Sequence, residues 1–223
     1  MENPWLRLPC EAPFILDVDR ENISRYNQSR RTEKTKINTN SIPEPFIGNA
    51  DSAKLVLLNL NPGDSEADRE AHGNPDFRAA MIRNLRGEPQ RYPFYALNPE
   101  FRWTGCAKWW APRTRELQHA AGLDNATFAE RLLVVEWFPY HSKKAGLPPS
   151  PVCESQTYSF YLAKQMLDKR KLIVRMRAEK HWSTADPVFQ GVRSLRNPQC
   201  GYISRGNTDG GLFEQMVEAL NDP

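Results

Sequence analysis

Three short apolar runs in this 223-residue chain each lead into a polar residue that could bind a ligand. The runs and the residues that follow them are residues 55–60 with Asn61, residues 132–135 with Glu136, and residues 192–195 with Asn197. Amide and carboxylate side chains offer hydrogen-bond donors and acceptors. In open α/β sheets the ligand crevice lies at the carboxyl ends of the strands. We therefore expect the three side chains to lie near one another and to line one ligand site.

The first of these ends is a sharp turn, Asn61-Pro62-Gly63. Proline fixes φ and Gly63 can adopt φ > 0, so the turn is expected to leave backbone N–H groups free. A residue before proline is biased toward extended backbone, which would point the Asn61 amide out from the strand end. An amide is not a strong base, but it can hold a water molecule. The alternative is an ordinary turn in which Asn61 bonds to its own backbone.

The order of the elements predicts an α/β domain. Short apolar runs bounded by turn signals are typical of strands that are buried on both faces. Signals for helices stand between the runs: Asn74-Pro75 with Gly87 as a stop, residues 109–121, Asp124 as a cap, residues 154–169 and residues 210–220. This alternation predicts a three-layer α/β/α sandwich with a four-stranded parallel sheet. The predicted strands are residues 55–60, 132–135, 172–174 and 192–195.

Composition and charge exclude several classes of protein. Hydrophobic residues make up 39% of the chain and charged residues 26%, which favours a folded domain over a disordered one. The formal charge of +3 does not by itself demand nucleic acid as a partner. No apolar stretch approaches a membrane span and the first residues do not resemble a signal peptide, so we expect a cytoplasmic protein without membrane contact. The four cysteines lack any C-x-x-C pair, which predicts free thiols.

The first 45 residues differ in composition from the rest. They are polar and rich in Asn, Arg and Thr, and Asp19 could cap a short helix through Arg30. Residues 41–46, with Pro43 and Pro45, predict a linker into the core. We therefore expect residues 1–45 to form a polar extension packed on the core, residues 46–223 to form one domain, and the protein to be a monomer.

With these residues in place, the sequence resembles a known family over residues 46–220. The segment Asn59-Leu60-Asn61-Pro62-Gly63 looks like the first motif of the uracil-DNA glycosylase superfamily, and is closest to the single-strand-selective and mismatch-specific branches, which carry Gly-x-Asn-Pro-Gly. Glu136-Trp137-Phe138-Pro139 stands where the single-strand-selective branch has Asn-x-x-Pro. Asn197-Pro198-Gln199 stands where the superfamily has His-Pro-Ser or Asn-Pro-Ser after its last strand.

The resemblance implies a uracil-DNA glycosylase-like domain that acts without a cofactor. Its partner would be single-stranded DNA or a damaged duplex, from which a damaged or deaminated base is flipped before its N-glycosidic bond is hydrolysed. Asn61 would position the attacking water and Asn197 would stabilise the leaving base. Gly63 and Glu136 would contact the base, and Phe77, Phe94 or Tyr95 would stack on it. Tyr202 or Ile203 would enter the duplex as a wedge. Arg205 and Lys143 would contact phosphate.

Glu136 departs from the family's pattern, because relatives keep Asn there. An ionised Glu offers acceptors only and would leave O4 of uracil unpaired, at a cost of about 1–3 kcal/mol. A carboxylate suits a donor-rich edge, so the base is predicted not to be simply uracil. The alternative for Glu136 is a salt bridge with an arginine at the sheet edge. Asn59 and Gln199 also depart from the pattern, since they replace a glycine and a serine.

Two other functions stay open. The same fold could hold a nucleotide or nucleic acid without catalysis, which the departures at Glu136 and Gln199 favour. An unrelated α/β enzyme could bind a small phosphorylated metabolite at free N–H groups near Gly63, although no Gly-rich phosphate loop supports this. His72 with the acidic residues of 64–70 could bind a metal ion, but the spacing matches no standard site and no metal is predicted.

Overall fold

The computed structural model describes residues 1–144 and 146–222, and within them lies one four-stranded open sheet. The strands are β1 (Phe46–Ile47), β2 (Leu55–Asn59), β3 (Leu132–Glu136) and β4 (Leu172–Arg175). Their order is β1-β3-β2-β4, with β2 parallel to both β3 and β4 and β1 antiparallel to β3. The sheet is therefore mixed, and the prediction of a purely parallel sheet is wrong.

The three parallel strands are the apolar runs that the sequence predicted. All side chains of β2 and β3 are buried, because a parallel strand covered on both faces needs apolar residues in succession. Residues 192–195, predicted as the fourth strand, make only an isolated parallel bridge between Arg175 and Ser194. Two backbone bonds form this bridge, from the Arg175 amide to the Arg193 carbonyl and from the Leu195 amide to the Arg175 carbonyl. The Arg193 side chain binds Gln215 and the backbone at Asp209 and Gly210.

Eight α-helices accompany the sheet in the described part of the chain: α1 (Asp17–Gln28), α2 (Glu66–Ala71), α3 (Pro75–Arg86), α4 (Gly105–Ala121), α5 (Asn125–Arg131), α6 (Gln156–Asp168), α7 (Glu179–Ala185) and α8 (Leu212–Asn221). The predicted signals at α3 are confirmed, since Asn74 accepts from the Phe77 amide and Gly87 ends the helix with φ 66°. Asp124 likewise caps α5. Within the described residues, no helix is both long enough and apolar enough to cross a bilayer.

The start of α4 carries part of the cavity wall described below. This helix begins at Gly105, earlier than the predicted residue 109, because the Thr104 side chain accepts a hydrogen bond from the Ala107 amide. Helix α4 packs against α8, which contacts β2, and α6 contacts β2, β3 and β4. These contacts fix the positions of the residues that follow the strands.

The first 45 residues contribute to the same hydrophobic core as the sheet. Trp5, Ile23 and Ile42 are buried in that core. Residues 41–46 are buried and lead directly into β1, so the prediction of a linker there is wrong. The backbone explains why: the Glu44 amide donates to the Pro139 carbonyl and the Glu136 amide donates to the Pro45 carbonyl. Asp19 lies inside α1 rather than capping it.

Candidate functional site

A cavity of about 390 Å³ opens at the carboxyl ends of β2 and β3. This volume falls within the range of about 300–1,000 Å³ that small-molecule sites occupy. The cavity is lined by the last residue of each strand, by the turn after β2, by the start of α4 and by residues 141–143 after β3. Asn61, Gly63, Glu136 and Lys143, all predicted from the sequence, lie in this lining.

Asn59 and Glu136 form the floor of the cavity. They end β2 and β3 and are direct partners in the strand register. The Asn59 amide nitrogen, Nδ2, donates to Oε1 of Glu136 at 2.9 Å. Asn59 is only 5% exposed and Glu136 only 2%, yet Oδ1 of Asn59 and Oε2 of Glu136 have no hydrogen-bond partner among the described residues. Two neighbouring buried polar atoms are thus left for a ligand or for water.

The Glu136 carboxyl is protonated at neutral pH. Burial is the main cause that raises its pKa, to about 8, and the nearby Glu44 carboxyl adds to the rise. The Asn59 hydrogen bond and the charge of Arg177 act in the opposite direction but are outweighed. The hydrogen belongs on Oε2, because Oε1 already accepts from Asn59. Burial thus favours a protonated Glu136 over the ionised, acceptor-only group that was expected, and the floor then offers one donor beside the Asn59 acceptor.

Asn61 lies on the cavity wall, two residues beyond Asn59. Its amide nitrogen donates to the Pro62 carbonyl at 2.9 Å and to Oγ of Ser142 at 3.0 Å. The local bond to Pro62 is the ordinary turn contact that was the alternative expectation, while the bond to Ser142 joins the turn to the segment after β3. Both bonds use the nitrogen, so the carbonyl oxygen of the side chain, Oδ1, is left to face a donor such as water.

Gly63 does not adopt the left-handed backbone that its type allows. Its φ lies outside the positive range, and a Cβ built on it would meet nothing closer than Oδ2 of Asp68, at 3.9 Å. The expectation that the turn depends on a positive φ at Gly63 is therefore wrong. The backbone carbonyl of Gly63 is used instead, as a partner of the His141 ring.

A buried cluster of Glu44, His72 and His141 lies against one side of the cavity. Both ring nitrogens of His141 lie at hydrogen-bond distance from carbonyl oxygens, Nδ1 from that of Gly63 and Nε2 from that of Ile42 at 2.8 Å. Nδ1 of His72 accepts from the Ile42 amide at 2.9 Å, and burial lowers the pKa of His72 to about 2. Burial raises the pKa of Glu44 to about 7, against the opposing charge of His141.

These three side chains each offer one possible metal-ligating atom, and the atoms lie within 4.8 Å of one another. The cluster could hold a cation only if His141 released one of its two carbonyl partners, so the hydrogen bonds do not favour a metal there. The structure also groups His72 with Glu44 and His141 rather than with the acidic residues of 64–70 that precede it in sequence.

Asn197 is exposed and does not line the cavity. Its side-chain Oδ1 accepts from the backbone amides of Gln199 and Cys200, and its backbone amide donates to Oδ1 of Asn207. These bonds stabilise a local turn. Asn197 is therefore absent from the cavity lining that contains Asn61 and Glu136, although the bridge between Arg175 and Ser194 carries the parallel register to the start of this turn.

The three aromatic residues predicted to stack on a base are core residues instead. Phe77, Phe94 and Tyr95 are fully buried and pack edge to face, Phe77 on Tyr95 and Phe94 on Trp110. Trp110 and the half-buried Trp109 are the aromatic residues that line the cavity. Both belong to the first turns of α4.

The residues predicted to contact DNA differ in their exposure and in their partners. Ile203 is only 1% exposed, so it cannot enter a duplex from this conformation. Tyr202 is 45% exposed. Arg205 forms ion pairs with Glu116 and Glu214 and lies over the Phe213 ring, so its charge is already neutralised. Lys143 is exposed at the cavity rim.

Sequence reasoning missed four residues that shape the cavity: Glu44, Asn59, Trp109 and Arg177. A signal existed for Asn59, since it is the one polar side chain in the run 55–60 and lies in phase with Asn61 along an extended chain. No signal existed for Glu44, which reaches the cavity from a segment taken for a linker. The sequence carried no signal for Arg177 either. This residue follows β4, and its side chain binds the carbonyls of Pro198 and Gln199.

Comparison with known proteins yields no relative: no family model, no curated protein and no solved structure matches this chain.

Proposed function

We propose that the cavity binds a nucleobase turned out of a nucleic-acid strand and that the protein hydrolyses the N-glycosidic bond of that base. The motif resemblance is the origin of this proposal, and a uracil-DNA glycosylase-like three-layer arrangement of the domain is part of it. The observation that carries it is the pair of unpartnered buried atoms on the cavity floor, Oε2 of Glu136 and Oδ1 of Asn59.

The chemistry of that pair matches the edge of a nucleobase. Protonated Glu136 donates through Oε2 while Asn59 accepts through Oδ1, which suits an acceptor beside a donor. Uracil, hypoxanthine, xanthine and guanine offer a C=O beside a ring N–H, and adenine and cytosine offer a ring nitrogen beside an exocyclic amine. The proposed substrates are the deaminated bases uracil, hypoxanthine and xanthine, because the motif resemblance implies a damaged or deaminated base and a protonated Glu136 can also pair with uracil.

The same residues account for the bond cleavage. The bond from the sugar C1′ to the base nitrogen breaks, and its electron pair stays on the base. The Glu136 hydrogen bond to the base carbonyl stabilises the developing negative charge, as preorganised donors do in other sites. A water held by Oδ1 of Asn61 adds to C1′, and the proton it releases goes to the departing base. The products are the free base and an abasic sugar.

A second function, binding of a base without catalysis, has an observation in its favour. Two of the acids that line the cavity are engaged: Asp64 accepts from Asn38 and Arg69, and Asp68 accepts from Ser65. Burial raises the pKa of a third, Glu44, to about 7. Hydrolysis would then rely on Asn61 to orient the water. A binding module would need no such group.

Incision of defined oligonucleotides separates the two functions. Strands that contain uracil, hypoxanthine or xanthine are incubated with the protein, treated with alkali and resolved by size, because an abasic site breaks in alkali. We expect breaks with the wild type and a loss of at least about tenfold in Asn61→Ala. Asn197→Ala is the matched control, since Asn197 lies outside the cavity, and it should retain activity.

The other outcomes are equally specific. Tight binding of these strands without breaks would favour the binding module. An Asn197→Ala variant as inactive as Asn61→Ala would mean that the segment at 197–200 takes part in the reaction, contrary to the proposal. Neither binding nor breaks with any strand would remove nucleobases as the ligand.

A further inference from the structure

Two arginines and two aromatic residues alternate at the mouth of the cavity. The Arg177 guanidinium lies 4.6 Å from the centre of the Trp109 ring, and the Arg113 guanidinium lies 3.3 Å from the same ring. Arg113 also lies 5.1 Å from the Tyr202 ring. The set Arg177, Trp109, Arg113 and Tyr202, here called the arginine–aromatic ladder, thus runs from the cavity lining to the exposed Tyr202.

Backbone carbonyls hold both arginines in place. Arg113 donates to the carbonyls of Cys200 at 3.1 Å and Trp109 at 2.9 Å. Arg177 donates to the carbonyls of Pro198 at 3.0 Å and Gln199 at 2.6 Å. These bonds orient the guanidinium groups without cancelling their charge, so the ladder is rigid and still positive.

The charge of the ladder is unpaired. In residues 1–144 and 146–222, neither Arg113 nor Arg177 has a carboxylate within salt-bridge distance, whereas Arg205 nearby has two. Burial lowers the pKa of Arg177 and Glu136 raises it, but burial also favours the protonated form of Glu136 at neutral pH. Burial lowers the pKa of Arg113, and the like charge of Arg177 lowers it further. The two guanidinium groups lie against one ring and repel each other, so binding of an anion from outside would stabilise them.

We propose that the arginine–aromatic ladder binds the single-stranded nucleic acid that flanks the base in the cavity. Arg113 and Arg177 would contact successive phosphates and an unpaired base would stack on Tyr202. Guanidinium planes and exposed aromatic rings are the surfaces on which unpaired bases stack. Of the two residues predicted as a wedge, Ile203 is buried and Tyr202 lies in the ladder, where an unpaired base can stack on it, which favours a strand that is already single. The inference rests on the proposed function for the base in the cavity but not on its hydrolysis.

Fluorescence anisotropy with the full chain tests the ladder apart from the cavity. The probe is a short 5′-labelled oligodeoxyadenylate, because adenine is not one of the deaminated bases proposed as substrates and the strand should therefore stay intact. We expect Arg113→Gln to weaken binding about tenfold at low salt and to make the plot of log affinity against log salt shallower by about 0.7, one phosphate contact. Tyr202→Ala should also weaken binding about tenfold, but without changing that slope.

Arg205→Gln is the matched control. It removes an exposed arginine near the ladder whose charge is already paired, so affinity and salt slope should equal those of the wild type. Near-UV circular dichroism checks that each variant is folded, and the exposed Tyr202 gives a second variant if Arg113→Gln is not.

Three results would each overturn the inference. Wild-type affinity in folded Arg113→Gln and in Tyr202→Ala would exclude the ladder as the contact surface. Equal losses of affinity in Arg205→Gln and Arg113→Gln would mean that general positive charge, and not the ladder, binds the strand. Tighter binding of the matched duplex than of the single strand would make the partner double-stranded. Loss of oligonucleotide incision with intact oligodeoxyadenylate binding would contradict the proposed function alone.

Discussion

Two buried carboxyl groups of the protein, those of Asp19 and Glu136, are satisfied in opposite ways. Asp19 in α1 is 0% exposed; its Oδ2 accepts from the Tyr140 hydroxyl at 2.7 Å, and its Oδ1 accepts from the Ser155 amide at 2.9 Å. Glu136 at the end of β3 is almost as buried, but only Oε1 has a partner. One carboxyl group has partners for both oxygens within the fold, and the other keeps one buried oxygen without a partner beside a cavity.

The difference separates a structural acid from a functional one. Burial of a carboxyl group costs free energy unless hydrogen bonds replace those lost from water, so buried polar atoms are almost always paired. Asp19 follows this rule and joins α1 to the start of α6 and to the segment after β3. Glu136 departs from the rule at a cavity, where a ligand could supply the missing bond. The open oxygen is therefore the reason to place function at Glu136 and not at Asp19.

Removal of Asp19 should have the largest effect on stability. Asp19→Ala leaves the Tyr140 hydroxyl and the Ser155 amide without their acceptor in the interior, and should lower the free energy of unfolding by about 3 kcal/mol. Urea unfolding measures this change. Asp17→Ala is the control, because Asp17 is on the same helix but exposed in a surface ion pair with Arg20, and it should cost less than about 1 kcal/mol. Equal losses in the two variants would contradict a structural role specific to Asp19.

Glu136 should affect stability through pH. Its pKa is about 8 in the folded protein and near the ordinary 4.5 when unfolded, so between these values the folded state holds a proton that the unfolded chain releases. The contribution of Glu136 is therefore fully present below pH 4.5 and is lost as the pH rises toward 8. We expect the wild type to lose about 2 kcal/mol relative to Glu136→Gln between pH 6 and pH 8. Parallel stability curves for the two proteins would show that Glu136 is ionised in the fold.

Ligand binding should also depend on the protonation of Glu136. Above pH 8 Glu136 loses the hydrogen that would bond to the base carbonyl, so the affinity for free uracil or hypoxanthine should fall by up to about tenfold per pH unit. Glu136→Gln keeps a donor and an acceptor at the same place and should bind with little dependence on pH in this range. Titration calorimetry on both proteins measures the difference. A fall of equal steepness in Glu136→Gln would assign the pH dependence to another group, such as the base itself.

The sequence predicts the regular parts of this fold well and its connections poorly. The apolar runs at β2, β3 and β4 and the capped helix α3 were visible because each is specified by its own residues. Strand β1 was not, since two residues carry no period, and its pairing with β3 is set by the buried segment 41–46. Residues 192–195 had strand-like residues but lacked a partner along their length.

The candidate site shows the same limit. Asn61 and Glu136 could be placed together because the ends of parallel strands meet at one edge of a sheet. The Asn59–Glu136 hydrogen bond depends on strand register, and the pKa of Glu136 depends on burial, neither of which a linear pattern contains. Asn197 matched a motif, but its side chain accepts hydrogen bonds within its own turn, and a linear pattern does not contain these bonds.

Gly63 should give the smallest effect and tests which part of its turn matters. Its φ is not positive and a Cβ would have space, so Gly63→Ala should change the free energy of unfolding by less than about 0.5 kcal/mol and leave base binding intact. Gly48→Ala is the contrasting variant, because φ there is +117° and the added Cβ would lie 2.3 Å from the Leu132 carbonyl oxygen; it should destabilise strongly. If Gly63→Ala abolished base binding while the fold stayed intact, the backbone of the turn would contact the ligand. The Asn61 side chain and the Asn59–Glu136 floor would then no longer suffice to explain recognition.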